Sequence, residues 1–173
     1  VGTDRLPQTV KNIRQTILSL GGEVRFGARL TSLDIRDGRV CGVRYEENGR
    51  ESRLEAEQVI LAVGHSARDT FAMLDELGLP MEAKAFSVGA RIEHSQALID
   101  RARYGAFAGH PALRAADYKL SVHLPSGRGV YTFCMCPGGT VVAAASEPES
   151  VVTNGMSVFA RDGENANAAL LVG

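Results

Sequence analysis

Residues 28–63 read ARLTSLDIRDGRVCGVRYEENGRESRLEAEQVILAV, and this stretch decides how the first half of the chain folds. Two dipeptides in it, Asp37-Gly38 and Asn48-Gly49, tolerate positive φ in tight hairpins. They separate strand-like stretches over 28–35, 39–45 and 51–56. The segment therefore predicts a three-stranded antiparallel meander.

The meander is followed by an apolar run, VILAV over 59–63, that shows no alternation of polar and apolar residues. Such a run is typical of a strand covered on both faces, as in a parallel sheet with helices on each side. It ends at Gly64, and a helix is predicted over 69–77, closed by Gly78.

The rest of the chain mixes helices and strands, with a change of texture near residues 78–84. Helical spacing of Val10, Ile13, Ile17 and Leu20 predicts a helix over 7–20. A short strand is expected over 24–26. Beyond Pro80 the pattern predicts strands over 85–93, 118–123, 130–136 and 140–145, helices over 95–103 and 165–171, and a polar loop around Asn154 and Gly155. The fold class is mixed α/β.

Composition excludes several function classes. The 173 residues carry 19 basic and 20 acidic side chains, so a nucleic-acid partner is not expected. No apolar stretch is long enough to cross a bilayer, and no signal peptide is visible. The three cysteines form no metal-ligand pattern and are expected to be free thiols, which favours a cytoplasmic location.

Five stretches resemble a bacterial family of FAD-dependent, NAD(FAD)-utilising dehydrogenases. They are GTDRLPQTVKNIRQTILSLGGEV, VILAVGHSARDTF, PMEAKAFSVGARIEH, GRGVYTFCMCPGG and VVTNGMSVFARDGENANAALLVG. The order of helix, short strand, meander and apolar run ending in Ala-Val-Gly is also similar to the FAD-binding domain of glutathione-reductase-type flavoproteins. The resemblance spans essentially all 173 residues. It implies an internal piece with a partial Rossmann-type FAD-binding domain over 1–80 and part of a β-rich substrate domain over 81–173.

The resemblance also implies which residues contact the cofactor. Main-chain groups near Leu30 match the strand that passes the adenine ring. Ala62, Val63 and Gly64 match the small-residue turn where the backbone runs close to the diphosphate and ribose, and His65 follows that turn. Contact of His65 with the cofactor and a local bond to nearby backbone are about equally supported.

One required motif does not occur in these residues. A complete FAD domain needs a Gly-x-Gly-x-x-Gly turn between a strand and a helix, where backbone amides hold the diphosphate. The glycine clusters present lack its spacing. We therefore expect the 173 residues alone to bind FAD weakly or not at all and to be inactive.

Other polar residues have weaker patterns. Arg91 and Arg161, with Asn165, are candidates for the substrate side, although Arg91 on a solvated face or paired with Glu93 is the more frequent arrangement. Further polar residues of the C-terminal segment are candidates to line the site: Asn154, Ser157, Asp162, Glu164 and Asn167. Asp162 could equally cap the predicted terminal helix. No metal site is expected, because His94, His110 and His123 lack ligand spacing.

Cys134 and Cys136 suggest a redox pair, but a Cys-x-Cys spacing in a strand lacks the turn geometry of Cys-x-x-Cys, and buried structural cysteines are more frequent.

The sequence as a whole favours an FAD-dependent oxidoreductase, or dehydrogenase, acting on a small molecule, with NAD(P)H as a candidate reductant. Two alternatives remain open: a non-catalytic flavin-fold module for protein contacts, and a thiol-based redox protein using Cys134 and Cys136. Substrate, electron acceptor and oligomeric state are left open.

Overall fold

A computed structural model describes residues 2–173 and divides the chain into two compact units. Ile17–Ala83 form one, which we call the meander unit. Residues up to Thr16 together with Lys84–Gly173 form the other, which we call the sheet unit. The first helix, α1 (Leu6–Ser19), crosses the division. The change of unit after Ala83 lies close to the predicted change near residue 80, but the first 16 residues group with the second half.

The predicted meander is confirmed. Strands β1 (Ala28–Arg36), β2 (Arg39–Glu47) and β3 (Arg50–Glu55) form an antiparallel sheet in the order β1-β2-β3. Both turns contain two residues, and all four have positive φ: 50° and 74° at Asp37 and Gly38, 54° and 73° at Asn48 and Gly49. Two-residue hairpins of this kind match the twist of the strands, so the local sequence sets the register.

One carboxylate neutralises two arginines on this sheet. Arg44 and Arg53 lie directly opposite each other on β2 and β3, where like charges repel. Arg44 Nε donates to Asp34 Oδ1 at 2.9 Å, and Arg53 Nε donates to Asp34 Oδ2. These two hydrogen bonds lower the pKa of Asp34, that from Arg53 having the larger effect.

The helix predicted over 69–77 is confirmed as α2 (Arg68–Glu76), and Gly78 follows it with φ 70°. The strand predicted over 59–63 is wrong for this chain, as is the short strand over 24–26, since neither segment is extended in a sheet. Ile60 is 93% exposed. A buried strand needs neighbours on both edges and both faces, and the described residues supply none to this run.

The sheet unit contains a four-stranded antiparallel sheet. Its order is β4 (Val88–Ser95), β9 (Asn165–Val172), β6 (Gly129–Cys136) and β5 (Ser121–His123). A separate hairpin pairs β7 (Gly139–Ala143) with β8 (Thr153–Ser157), and helix α3 (Gln96–Tyr104) follows β4. The predicted strands and helix of this region are confirmed with shifted ends.

Two C-terminal predictions are wrong. The helix predicted over 165–171 is strand β9, and the polar loop around Asn154 and Gly155 is strand β8. Alanine and leucine are strong helix formers, but intrinsic propensity is small beside tertiary pairing, and β9 gains backbone hydrogen bonds from β4 and β6 on its two edges. Asp162 therefore caps no helix. The chain is mixed α/β, β-rich and built from antiparallel sheets, since no parallel strand pair occurs among residues 2–173.

Few large apolar side chains are buried in either unit. The apolar core consists of Leu33 in the meander unit and Ala116, Cys136, Ala166 and Ala168 in the sheet unit. Helix α1 forms as predicted, but its apolar stripe is exposed, with Val10 at 55% and Ile13 at 57%. No helix among the described residues is both long and apolar enough to span a membrane.

The arrangement around Asp34 predicts a pH-dependent contribution to stability. Because its pKa is lowered on folding, Asp34 stabilises the protein above the range where a free aspartate titrates, about pH 4, and this is lost as pH falls through the lower folded pKa. We expect Asp34→Asn to lower the free energy of unfolding at neutral pH, and the difference from wild type to shrink on acidification.

Urea denaturation across this pH range measures the effect. Glu55→Gln is the control, because Glu55 also pairs with Arg53 but its side chain is 84% exposed. An Asp34→Asn effect that is no larger than that of the control, or that is independent of pH, would contradict the prediction.

Candidate functional site

A bulge interrupts β6 at the first of its two cysteines. Phe133 pairs with Ala169 but Cys136 pairs with Asn167, so β6 contains one more residue than β9 over this interval. Cys134 has φ 50°, which is unfavourable for a residue with a Cβ. A backbone of this kind persists only where the surroundings fix it.

A buried polar cluster fixes the bulge. Arg91 Nη1 donates to the main-chain oxygen of Cys134 at 3.1 Å and to Asn167 Oδ1 at 2.7 Å. The Cys136 thiol lies 3.4 Å from the same Cys134 oxygen. Asn167 is 0% exposed. Arg91 Nε and Asn167 Nδ2 are buried without a hydrogen-bond partner in the described part of the chain, so the cluster has spare donors.

Strand β8 closes directly over this cluster at Gly155. A Cβ on Gly155 would overlap Asn167 Oδ1 and would lie 2.5 Å from Arg91 Nη1 and 2.8 Å from Cys136 Sγ. The close approach therefore requires glycine. It also leaves little room for a ligand, so the cluster positions its surroundings instead of binding a molecule itself.

The turn after β6, at Gly138, packs directly against a second segment with a strained backbone, at Arg161. Gly138 has φ 53°, and a Cβ there would overlap the main-chain oxygen of Arg161, which itself has φ 56°. Gly138 N–H donates to Gln96 Oε1 at 2.9 Å. Gln96 Nε2 donates in turn to Asp100 Oδ1 at 2.8 Å and to the main-chain oxygen of Ala116 at 3.0 Å. Helix α3 thus anchors the glycine turn.

Arg161 also lines a small basic cleft. The cleft has a volume of about 120 Å³ and is lined by Gly2, Arg114, Ser157, Val158, Phe159 and Arg161. Neither arginine forms a salt bridge within residues 2–173. Two uncompensated guanidinium groups favour a carboxylate or phosphate, which accept hydrogen bonds from the planar guanidinium.

The three residues predicted for the substrate side, Arg91, Arg161 and Asn165, lie in three different environments. Arg91 is half-buried and bonded to Asn167, so both a fully solvated position and a pair with Glu93 are wrong. Asn165 Nδ2 donates to Glu93 Oε1 at 2.9 Å, at the end of β9. Gln96, Gly155 and Arg114 were missed by the sequence pattern, because the residues that they contact or line a cleft with lie far away in the chain.

The cofactor-side candidates lie in the meander unit. Leu30 is half-buried opposite Tyr45, next to a register shift in β1. Ala62, Val63, Gly64 and His65 are exposed and outside any strand, and His65 Nε2 lies 3.2 Å from the Ser66 hydroxyl. No hydrogen bond or ion pair among the described residues joins Leu30 to this segment.

The two neighbouring cysteines differ in environment. Cys134 is exposed and Cys136 is buried, and neither they nor Cys41 form a disulfide. Burial raises the pKa of the Cys136 thiol, and the neighbouring Cys134 raises it further, while Arg91 opposes both effects. Cys136 is therefore a neutral thiol at physiological pH. No group of three or more candidate ligands for a metal ion occurs among residues 2–173.

We predict that Gly155→Ala destabilises the sheet unit by about 1–3 kcal/mol, because the added methyl group overlaps the cluster. Gly129→Ala is the matched control, since a Cβ there meets nothing within 4 Å. Chemical denaturation compares the two variants. Equal stability of the two proteins would show that β8 does not approach the cluster this closely.

We also predict that iodoacetamide alkylates Cys134 at least on the order of ten times faster than Cys136 in the folded protein, because a buried neutral thiol is a poor nucleophile. Mass spectrometry of peptides over a time course gives both rates, and the half-buried Cys41 is an internal reference. Comparable rates before unfolding would contradict the assignment.

Comparison with known proteins places this chain in a flavoprotein family. A family model described as "FAD-dependent protein, C-terminal domain-like" matches residues 85–173, just over half of the chain. An "Uncharacterized protein" of Clostridium beijerinckii is 51% identical over 173 residues, which is 99% of this chain and 32% of the relative. The chain thus spans about a third of the length of that relative. From the matched residues, the chain belongs to the FAD-dependent protein family whose C-terminal domain they represent.

Proposed function

We propose that the full-length protein is an FAD-dependent oxidoreductase that acts on a small molecule in the cytoplasm. In this proposal the region over 1–80 is part of a Rossmann-type, glutathione-reductase-like FAD-binding domain, and the region over 81–173 is part of the substrate domain. The family match over residues 85–173 supports the flavin. The oxidoreductase activity is inferred from the family resemblance, and the class of substrate is inferred from the geometry below.

The observation that carries the proposal is the segment over 59–65, which is largely exposed and belongs to no helix or strand. No backbone hydrogen bond joins its main chain to a strand among the described residues. Its apolar side chains are mostly exposed, Ile60 above all. An exposed stretch of apolar residues outside any strand is suited to pairing with further strands and with a nucleotide.

The residues at the end of this segment fit the edge of a dinucleotide. Gly64 has φ 73°, and a Cβ there would meet nothing within 4 Å, so the main chain is open to a ligand. We propose that Ala62, Val63, Gly64 and His65 contact the diphosphate and ribose and that Leu30 covers the adenine. A bound flavin would supply the electron-transfer chemistry, with NAD(P)H or an organic substrate as reductant.

For the substrate side we propose the small basic cleft. Arg114 and Arg161 would hold a carboxylate or phosphate of the substrate, because no acidic side chain in the described part of the chain forms a salt bridge with either. The strained backbone at Arg161 and its contact with Gly138 would keep this cleft in place. Arg91 would act as a positioning residue through the Cys134 bulge, and Asn165 would hold the end of β9 through Glu93.

The environment of the cysteines argues against the thiol-based alternative. Cys136 is buried with a raised pKa, whereas a redox pair needs a reactive thiolate. The non-catalytic module remains a distinct alternative, and it is distinguished by the absence of bound flavin.

We predict that the full-length protein purifies with an acid-releasable yellow flavin that bleaches anaerobically with a reductant, NADH and NADPH being the first to test. The 173 residues alone are expected to retain little or none. A colourless full-length protein that also fails to take up added FAD would contradict the proposal and favour the non-catalytic module.

A glycine pair tests the cofactor assignment itself. Gly64→Val should lower FAD occupancy in the full-length protein, because a side chain disfavours φ 73° and occupies the space assigned to the nucleotide. Gly78→Val is the matched control, with φ 70° and equally open surroundings at the end of α2. Equal flavin occupancy of both variants and wild type would show that residues 62–65 do not contact the cofactor.

A further inference from the structure

A second recess lies on the face of the four-stranded sheet opposite the Arg91 cluster. Side chains alternate along β4, so Ile92 and His94 lie on the other side of the sheet from Arg91. Together with α3 they line a cleft of about 440 Å³, which we call the His–Tyr cleft. This volume is in the range of small-molecule sites.

The walls of the His–Tyr cleft are apolar. They are formed by Ile92, Ile99, Ala102, Leu120 and Leu170. Leu120 is 62% exposed, and Ile92 and Leu170 are each about two-fifths exposed. Binding of an apolar molecule would remove this apolar surface from water, which favours the bound state. The apolar lining favours a molecule with a hydrocarbon body.

One polar pair in the wall has unused hydrogen-bonding capacity. His94 Nε2 and the Tyr118 hydroxyl are 2.7 Å apart, whereas His94 Nδ1 is buried and has no partner among the described residues. The Thr132 hydroxyl is already engaged, since it receives the N–H of Leu120 at 2.8 Å and donates to the oxygen of the same residue. A ligand oxygen would therefore bond to the histidine–tyrosine pair.

The pair can serve a ligand in either of two states. When Nε2 carries the proton it donates to the Tyr118 oxygen, and the tyrosine O–H is free to donate to a ligand carbonyl. When Nδ1 carries the proton, Nε2 accepts from tyrosine, and the Tyr118 oxygen can accept from a ligand hydroxyl. Burial raises the pKa of Tyr118, so its hydroxyl stays protonated at physiological pH.

We propose that the His–Tyr cleft binds an aromatic or alicyclic molecule of one or two rings that carries one hydroxyl or carbonyl oxygen, hydrogen-bonded to Tyr118. The rings would cover Ile92, Leu120 and Leu170. Arg103 and Asp117 also line the cleft and are exposed. The residues that form the site belong to β4, β6, β9, α3 and the segment just before β5, all in the sheet unit, whereas the proposed flavin contacts lie in the meander unit.

Calorimetric titration of the full-length protein with 2-naphthol and 2-methylnaphthalene tests this site. The two probes have nearly the same shape and differ by a hydroxyl in place of a methyl group. We expect 2-naphthol to bind roughly threefold to tenfold more tightly, the contribution of one hydrogen bond. Tyr118→Phe should reduce the affinity for 2-naphthol to that for 2-methylnaphthalene and leave the latter unchanged.

Matched variants separate this site from others. Ala102→Phe should fill the cleft and abolish binding of both probes, with Ala102→Leu as a milder version if that protein is unstable. Tyr131→Phe is the control, since its hydroxyl bonds to Ser87 at 2.8 Å and does not line the cleft. Each variant is checked by thermal unfolding.

Three results would overturn the proposal. Absence of binding to wild type would show that the cleft does not take a ring compound of this kind. Binding that persists in Ala102→Phe and Ala102→Leu would place the probe elsewhere. Equal affinities of the two probes, unaffected by Tyr118→Phe, would remove the assigned hydrogen bond. None of these results depends on flavin content, which is measured separately in the same preparations.

Discussion

The contact between Arg91 and Asn167 is the constraint on which the sheet unit depends. Asn167 lies on β9, one of the two inner strands of the sheet, and is fully buried, so its amide oxygen must find a donor inside the protein. Arg91 supplies that donor and with the same nitrogen holds the carbonyl of Cys134. The bulge in β6 and the glycine of β8 that closes over the cluster follow from this bond. Replacing Arg91 would leave the buried amide oxygen of Asn167 without its donor, which costs about 1–3 kcal/mol.

Strand β4 serves two environments because its side chains alternate. Arg91 belongs to the polar, tightly packed face, where the hairpin of β7 and β8 leaves little space. His94, three residues later, belongs to the face that packs against α3, where the small side chain of Ala102 leaves a cleft. A slip of one residue in the pairing of β4 with β9 would move Arg91 and His94 to the opposite faces of the sheet. The bond between Arg91 and the buried Asn167 holds the register, and the register keeps His94 in the His–Tyr cleft.

Both units expose apolar side chains that are normally buried against another element. The stripe of α1 and the run over 59–63 have the patterns of elements that bury one or both faces, yet the described residues leave them exposed. The Clostridium beijerinckii relative is about three times as long as this chain, and the proposed FAD-binding domain requires strands and a diphosphate turn that do not occur in these residues. Exposed apolar surfaces of this kind are suited to packing against further polypeptide.

The sequence by itself determined the elements whose causes are local. Asp37-Gly38 and Asn48-Gly49 adopt positive φ because of their own residue types, and these turns fix the meander. Gly78 ends α2 because glycine also adopts positive φ without strain.

The remaining elements and contacts were decided by tertiary structure. The segment over 165–171 has helix-favouring alanine and leucine, but pairing with β4 and β6 makes it a strand. The run over 59–63 is strand-like in sequence, but no strand within residues 2–173 pairs with it. Arg91 meets Asn167 and His94 meets Tyr118 across 76 and 24 positions of the chain. Contacts at such separations arise only when distant strands are aligned, and no local pattern encodes them.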